Sequence, residues 1–273
     1  MNDRKLEKLH ECLLLILDEI DRICCENNIP YFLDSGSALG AIRHGGFIPW
    51  DDDIDVGMLR ENYDRFIQVA KEELSDRFFL QTTETESEYL GFNAKIRLNG
   101  TFFPEKVNEG KNIHQGIFVD VFPFDYISDN KNLALFETKI SRRLVSIYLF
   151  ASQSIKRGHV FKEFIRKVCK IIPQRMYRRF CLNFYLRHNE KRTRMVTCYS
   201  YKMNQHKVLH FNLQDMQTVH RVKFENKSYN IMDGYDSYLK TMYGNYMELP
   251  PVEKRFIHID GDVEFGELKE NIE

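Results

Sequence analysis

A chain of 273 residues with 43% hydrophobic content can bury a substantial core, as one large domain or two small ones. Its 14 glycines and 7 prolines are too few for a low-complexity polymer, and no repeat of fixed period runs through it. The longest apolar runs, such as Leu13 to Leu17, are far too short to cross a bilayer, and charges from Asp3 to Glu7 stand where a secretory signal needs its apolar core. A cytoplasmic protein is expected.

The first predicted element is a helix with Leu6, Leu9, Leu13, Ile16, Leu17 and Ile20 at helical spacing, ended by Glu26-Asn27-Asn28. Cys12 sits at an apolar position of it. Together with Cys24, Cys25, Cys169, Cys181 and Cys198 it forms no Cys-x-x-Cys pair, so free thiols are expected and a zinc site is not. Ile29 to Leu33 reads as a short buried strand, Asp34-Ser35-Gly36 as a turn, and Ser37 to Arg43 as a helix. A glycine turn opening a helix exposes unpaired N–H groups and the positive end of the helix dipole, both of which attract phosphate oxygens. Ser37 adds a hydroxyl. Gly and Ser also cap helices for purely structural reasons, so this segment takes its meaning from the acidic run downstream of it.

Gly45-Gly46 permits a sharp reversal, Pro49-Trp50 fixes the approach, and Asp51-Asp52-Asp53-Ile54-Asp55 then places four carboxylates in five positions. At about 6 Å and an effective dielectric of about 20, two such charges repel by roughly 3 kcal/mol, so a cation is the natural companion. If the run is extended, Asp51, Asp53 and Asp55 share one face while Asp52 and Ile54 take the other. Oxygen-only ligation suits a hard cation, and paired carboxylates plus substrate phosphates are the usual way to hold magnesium. A helix-loop-helix calcium site would need Gly and Glu where this chain has Val56 and Asn62. The acidic pair of a nucleotide-sugar glycosyltransferase is the stronger rival, and the Gly-Ser turn upstream argues against it.

A second helix is predicted over Glu61 to Leu74, and the strand Phe92 to Arg97 alternates Asn93, Lys95 and Arg97 onto one face. Strand–helix alternation around the acidic run points to an α/β (α+β) sheet domain. From Lys139 to Arg194, 16 Lys/Arg stand against Glu163 and Glu190, giving +14 in a chain whose remainder carries −15. Within it, Val160, Phe161, Phe164, Ile165, Val168, Ile171 and Ile172 interleave with Arg157, Lys162, Arg166, Lys167 and Lys170 at helical spacing. Such a basic amphipathic stretch suits peripheral contact with an anionic membrane or an acidic, lipid-carried acceptor. No nucleic-acid recognition motif accompanies it, and nucleic acid is not expected as a partner. Tyr235 to Pro251 reads as a helix followed by a turn.

The run from Gly36-Ser37 through Gly45-Gly46, Pro49-Trp50 and Asp51-Asp52-Asp53 to Asp55-Val56 closely resembles the LicD family, to which fukutin-related protein is also akin. The likeness extends to Lys95-Ile96-Arg97, to Gly116–Asp125 with its Asp120 and Pro123, and to Tyr235, Tyr238, Tyr243-Gly244 and Pro250-Pro251. It implies a nucleotidyltransferase-like mixed sheet flanked by helices, with a basic helical insertion in the second half. Residues 1–130 would be the catalytic core, 131–210 the basic helical region and 211–273 a segment closing the core.

The resemblance also implies a third carboxylate on a neighbouring strand, here Asp120, the sole charge in the apolar run Gly116 to Phe122. Asp53, Asp55 and Asp120 would be catalytic and would hold magnesium, while Gly36, Ser37, Arg43, Lys95 and Arg97 would meet phosphate. Asp125 is a further candidate. The implied reaction moves phosphocholine, or a similar phospho-alcohol, from a CDP-linked donor to a hydroxyl of a cell-surface glycan precursor. The competing readings are the nucleotide-sugar glycosyltransferase and a catalytically silent, membrane-associated binding protein.

Overall fold

The computed structural model describes residues 3–152, 173–201, 209–251, 253, 255 and 262–266. The chain falls into two units, one formed by Met1–Pro123 with Gln214–Glu273 and the other by Phe124–Leu213.

In the first unit, helix α1 (Asp3–Glu26) buries Leu9, Leu13, Ile16, Leu17, Ile20 and Ile23 completely or nearly so. Each such side chain contributes about 1.5–3 kcal/mol of transfer free energy, so the stripe anchors the helix against the elements at Arg60–Glu73 and Ala94–Leu98. Asn28 ends it in a left-handed conformation (φ 51°), and the Ile29 N–H donates back to the Cys24 carbonyl at 2.8 Å. That bond explains a difference from the sequence expectation. The strand predicted over Ile29 to Leu33 is reduced to β1 (Phe32–Leu33), because Ile29 spends its amide on the helix end and Pro30 has none.

Helix α2 (Ser35–His44) follows at once, and β2 (Asp55–Leu59) pairs antiparallel with β1. Then come α3 (Arg60–Glu73), β3 (Phe78–Gln81), β4 (Ala94–Leu98) and β5 (Phe118–Ile127). The strand order is β1-β2-β5-β4-β3. Helices α1, α2 and α3 flank this sheet, the α/β (α+β) arrangement expected. The β4–β5 register sets Lys95 opposite Asp120, and that pairing builds one edge of the site.

In the second unit, the last residues of β5 pair with β6 (Met195–Thr197), which pairs with β7 (Phe211–Asn212). Helix α4 (Lys131–Ser152) packs on α5 (Gln174–Leu186), with Tyr148 and Tyr177 stacked at 6.2 Å. Asp125 is buried here and accepts from the Asn189 amide at 3.0 Å. That bond ties the end of β5 to Asn189. The amphipathic pattern from Val160 to Ile172 lies outside the described residues.

Back in the first unit, β8 (Val219–Phe224) and β9 (Lys227–Met232) form a hairpin, followed by α6 (Tyr235–Tyr243). The hairpin turn abuts Gly45-Gly46: the Glu225 N–H donates to the Gly45 carbonyl, and the Glu225 carboxylate accepts from the Phe47 N–H at 2.9 Å. A Cβ on Gly46 would fall 1.9 Å from that carboxylate, so a larger residue would push the Glu225 side chain off the Phe47 N–H. Among the described residues no helix is long and apolar enough to cross a membrane.

Candidate active site

The site is assembled where β2 begins. The Asp55 N–H donates to the Ser37 hydroxyl oxygen at 2.9 Å, the Asp34 N–H donates to the Asp55 carbonyl at 2.9 Å, and the Asp120 N–H donates to the Ile54 carbonyl at 3.2 Å. Two bonds thus lock the first strand residue to the start of α2, and the third ties the residue before it to β5. Ser37 is buried and accepts in this bond, an arrangement that leaves its proton directed elsewhere.

Residues Asp51 to Ile54 are not paired as a strand, yet their burial alternates as an extended run predicts. Asp52 and Ile54 are buried while Asp51, Asp53 and Asp55 are half-buried. The Asp51 carbonyl accepts from the His10 ring at 2.8 Å, and that ring stacks on Phe47 at 3.7 Å. Burial holds His10 below its ordinary pKa despite the bond, which favours the neutral ring that can donate one N–H. The Asp51 carboxylate lies over the first turn of α2, where a Cβ on Gly36 would come within 2.6 Å of it.

Among the described residues, Asp51, Asp52 and Asp53 bring carboxylate oxygens within 4.8 Å of one another. The closest acidic trio therefore sits toward the N-terminal side of the expected Asp53–Asp55–Asp120 set, with Asp53 common to both. Asp55 remains electrostatically part of the cluster. Burial, followed by the Asp53, Asp120, Asp34 and Asp51 carboxylates, pushes its pKa well above the ordinary value. Five crowded carboxylates with only oxygen donors fit a hard divalent cation such as magnesium, which would relieve that repulsion.

Asp120 faces a different environment. Its carboxylate accepts from the Asn93 amide at 2.5 Å and pairs with the Lys95 ammonium at 3.3 Å. Burial raises its pKa, and Lys95 pulls back against that rise. Lys95 and Arg97 on β4, and Asn93 just ahead of it, alternate as expected, but they divide the labour. Lys95 bridges Asp120 and Glu105, at 3.1 Å from the latter. Arg97 is completely buried and donates to the Gln81 side chain (2.7 Å), the Gly116 carbonyl (2.6 Å) and Glu105 (2.6 Å). With each guanidinium nitrogen committed to protein, Arg97 acts as scaffold, which departs from the expected phosphate contact. Arg43 is half-buried, with its guanidinium directed at His44 and at the Tyr246 carbonyl (2.8 Å).

Several participants carried no sequence signal strong enough to single them out. Asp34 is fully buried, caps α2 through the Ser35 N–H at 2.8 Å, and accepts from the Tyr238 hydroxyl. Its position ahead of a helical serine is an N-cap signature that could have marked it. Tyr243, partly open to solvent, has its phenol pushed well above the ordinary range by burial and then by Asp34, Asp55, Asp51 and Asp53. Glu105 lies in a loop with no periodicity to betray it.

Comparison with known proteins points to the same part of the chain. Residues 28–143 match the LicD/FKTN/FKRP nucleotidyltransferase domain. The lipopolysaccharide cholinephosphotransferase LicD of Haemophilus influenzae is 28% identical over 249 residues, covering 90% of this chain and 92% of that protein. The ribitol 5-phosphate transferase FKRP of human and of mouse is 32% identical over 96 residues, 35% of this chain and 17% of theirs. The matched span contains α2, the acidic run, Lys95 and Asp120, so what this chain shares with the LicD/FKTN/FKRP nucleotidyltransferase domain is the part that builds the site.

Proposed function

We propose that the protein is a magnesium-dependent transferase that moves phosphocholine, or a similar phospho-alcohol, from a CDP-linked donor to a glycan hydroxyl. The observation that carries this reading is the pair of bonds from Asp55 to Ser37 and from Asp120 to Ile54, which draws a helix N-terminus, a carboxylate cluster and Asp120 together. The start of α2 offers N–H groups to a diphosphate. Asp53 and Asp55, with Asp51 and Asp52 beside them and Asp120 at the edge, would hold the ion, which supplies charge neutralisation on phosphoryl oxygens. Asp120 orients the acceptor hydroxyl and takes its proton as the phosphorus–oxygen bond to CMP breaks and the new one forms. Its raised pKa suits it to receive that proton.

Purified protein offered a panel of CDP-alcohols, magnesium and a glycan acceptor should release CMP and add the phospho-alcohol mass to the acceptor. Release of a nucleoside diphosphate with sugar transfer from a nucleotide-sugar donor would instead establish the glycosyltransferase reading.

The acceptor we propose is lipid-carried, met at the cytoplasmic face of a membrane. Helices α4 and α5 hold seven Lys/Arg against one carboxylate, Glu137, which is buried and paired with Arg187 at 2.9 Å. Lys139, Arg143, Arg175 and Arg179 are exposed alongside Phe136 (60% exposed), Met176 (64%) and Phe180 (57%). Basic and large apolar side chains on one helical pair suit an anionic bilayer, at about 1 kcal/mol per cation near the surface. The protein should sediment with phosphatidylglycerol vesicles and not with phosphatidylcholine vesicles, in a salt-sensitive manner, and Phe180→Ser should weaken the association several-fold. Binding that ignores lipid charge and Phe180 would remove this surface from the account.

A further inference from the structure

Lys95 and Glu105 stand behind Asp120 in an arrangement the transfer reaction alone does not require. The Lys95 ammonium lies 3.3 Å from Asp120 and 3.1 Å from Glu105, and 3.2 Å above the Phe118 ring. Glu105 is fixed independently of Lys95. Its second oxygen accepts from Arg97 at 2.6 Å and from the Asn108 amide at 2.9 Å, and Arg97 is itself immobilised by Gln81 and Gly116. Two cations and two anions therefore form a nearly buried, neutral quartet, with one member reaching the candidate metal centre. Burial pushes the Glu105 pKa up, but Lys95 and Arg97 outweigh it and the net shift is downward, so Glu105 is an anion here.

We propose that Glu105 is a positioning residue that shares the charge of Lys95 and so keeps Asp120 available to a divalent cation. This role rests on the proposed transfer mechanism, in which Asp120 helps to hold that cation. An ammonium with a single carboxylate partner would neutralise it and compete with an incoming ion. With a second anion held rigidly on its other side, Lys95 steadies Asp120 without claiming it. As the ion loads, Lys95 can lean to Glu105, a shift of its flexible terminal bonds with no backbone movement.

The test is manganese affinity, measured by calorimetry on the full chain without donor or acceptor. Glu105→Gln preserves shape and one acceptor oxygen, enough for Arg97 and Asn108, so it should keep cooperative unfolding while weakening manganese binding roughly 10- to 100-fold, the usual range for residues that support metal ligands. Glu105→Asp, which keeps the charge, should recover part of the loss. Lys95→Met should tighten binding, and Glu105→Gln added to it should have little further effect, since its action runs through Lys95. An equal loss from Glu105→Gln in both backgrounds would overturn the proposal. If Glu105→Gln does not fold, Lys95→Met decides alone: unchanged or weaker manganese binding overturns it. Asp120→Asn separates the two levels. If that variant binds manganese like the parent, the metal-site reading itself fails; if it binds poorly while Glu105→Gln binds normally, only the role of Glu105 does.

Discussion

Asp53→Asn and Asp55→Asn should each lower transfer by a thousand-fold or more, on the order of 4 kcal/mol of lost transition-state stabilisation, without unfolding the protein. Each change removes a charge at the point where Asp51, Asp53, Asp55 and Asp120 crowd together, yet keeps the shape of the side chain. Asp55→Asn also discharges a group that four other carboxylates oppose. In the presence of a chelator it should therefore melt at the same temperature as the parent or higher, while the rise in melting temperature on adding magnesium should shrink. The pH dependence has a definite sign. Because the folded value of Asp55 lies well above its ordinary 3.8, the metal-free fold retains a proton that the unfolded chain releases. The penalty from this group thus accumulates as pH climbs from 3.8 to the raised value, and Asp55→Asn should flatten that decline. Thermal melts across pH with chelator would read it. Full activity in both variants would exclude the acidic run from the chemistry.

Arg97→Met should cost about 3–5 kcal/mol of folding free energy, the range for breaking a buried ion pair from one side. Methionine fills much of the space, so the loss comes from partners rather than from a void. The Gln81 side chain, the Gly116 carbonyl and one Glu105 oxygen would each lose a donor inside the protein. Glu105 would retain Lys95 and Asn108, and the extra pull on Lys95 would disturb Asp120 as well. Urea unfolding followed by circular dichroism measures the change. A loss below about 1 kcal/mol would mean that Arg97 does not carry the scaffold role its burial and three partners assign to it.

Much of this arrangement was legible because it is local. Helical spacing announced α1 and α3, the Gly-Ser turn announced α2, and the two-residue period placed Asp51, Asp53 and Asp55 on one side of the chain. Hydrogen bonding was less legible. The Asp51 N–H is taken by the Ile48 carbonyl, so the extended run joins the sheet only at Asp55. The alternation of Asn93, Lys95 and Arg97 gave their common face but not their partners, since those depend on the register that sets Lys95 against Asp120. The partners of Glu105 and Asp34 were beyond reach for the same reason, although the capping position of Asp34 could be read. Their roles are fixed by Arg97 and by Tyr238, and no periodicity in a loop or a cap encodes a partner elsewhere in the chain.

The bond between Tyr238 and Asp34 spans 204 residues. On a ribosome, the first turn of α2 would emerge long before the phenol that satisfies its buried cap, and the Tyr246 carbonyl that receives Arg43 arrives later still. The first turn of α2 is thus completed only after the chain has grown by a further 204 residues, and a nascent chain carries its acidic run with the supporting clasp unfastened. Chain growth itself would then order the maturation of the pocket.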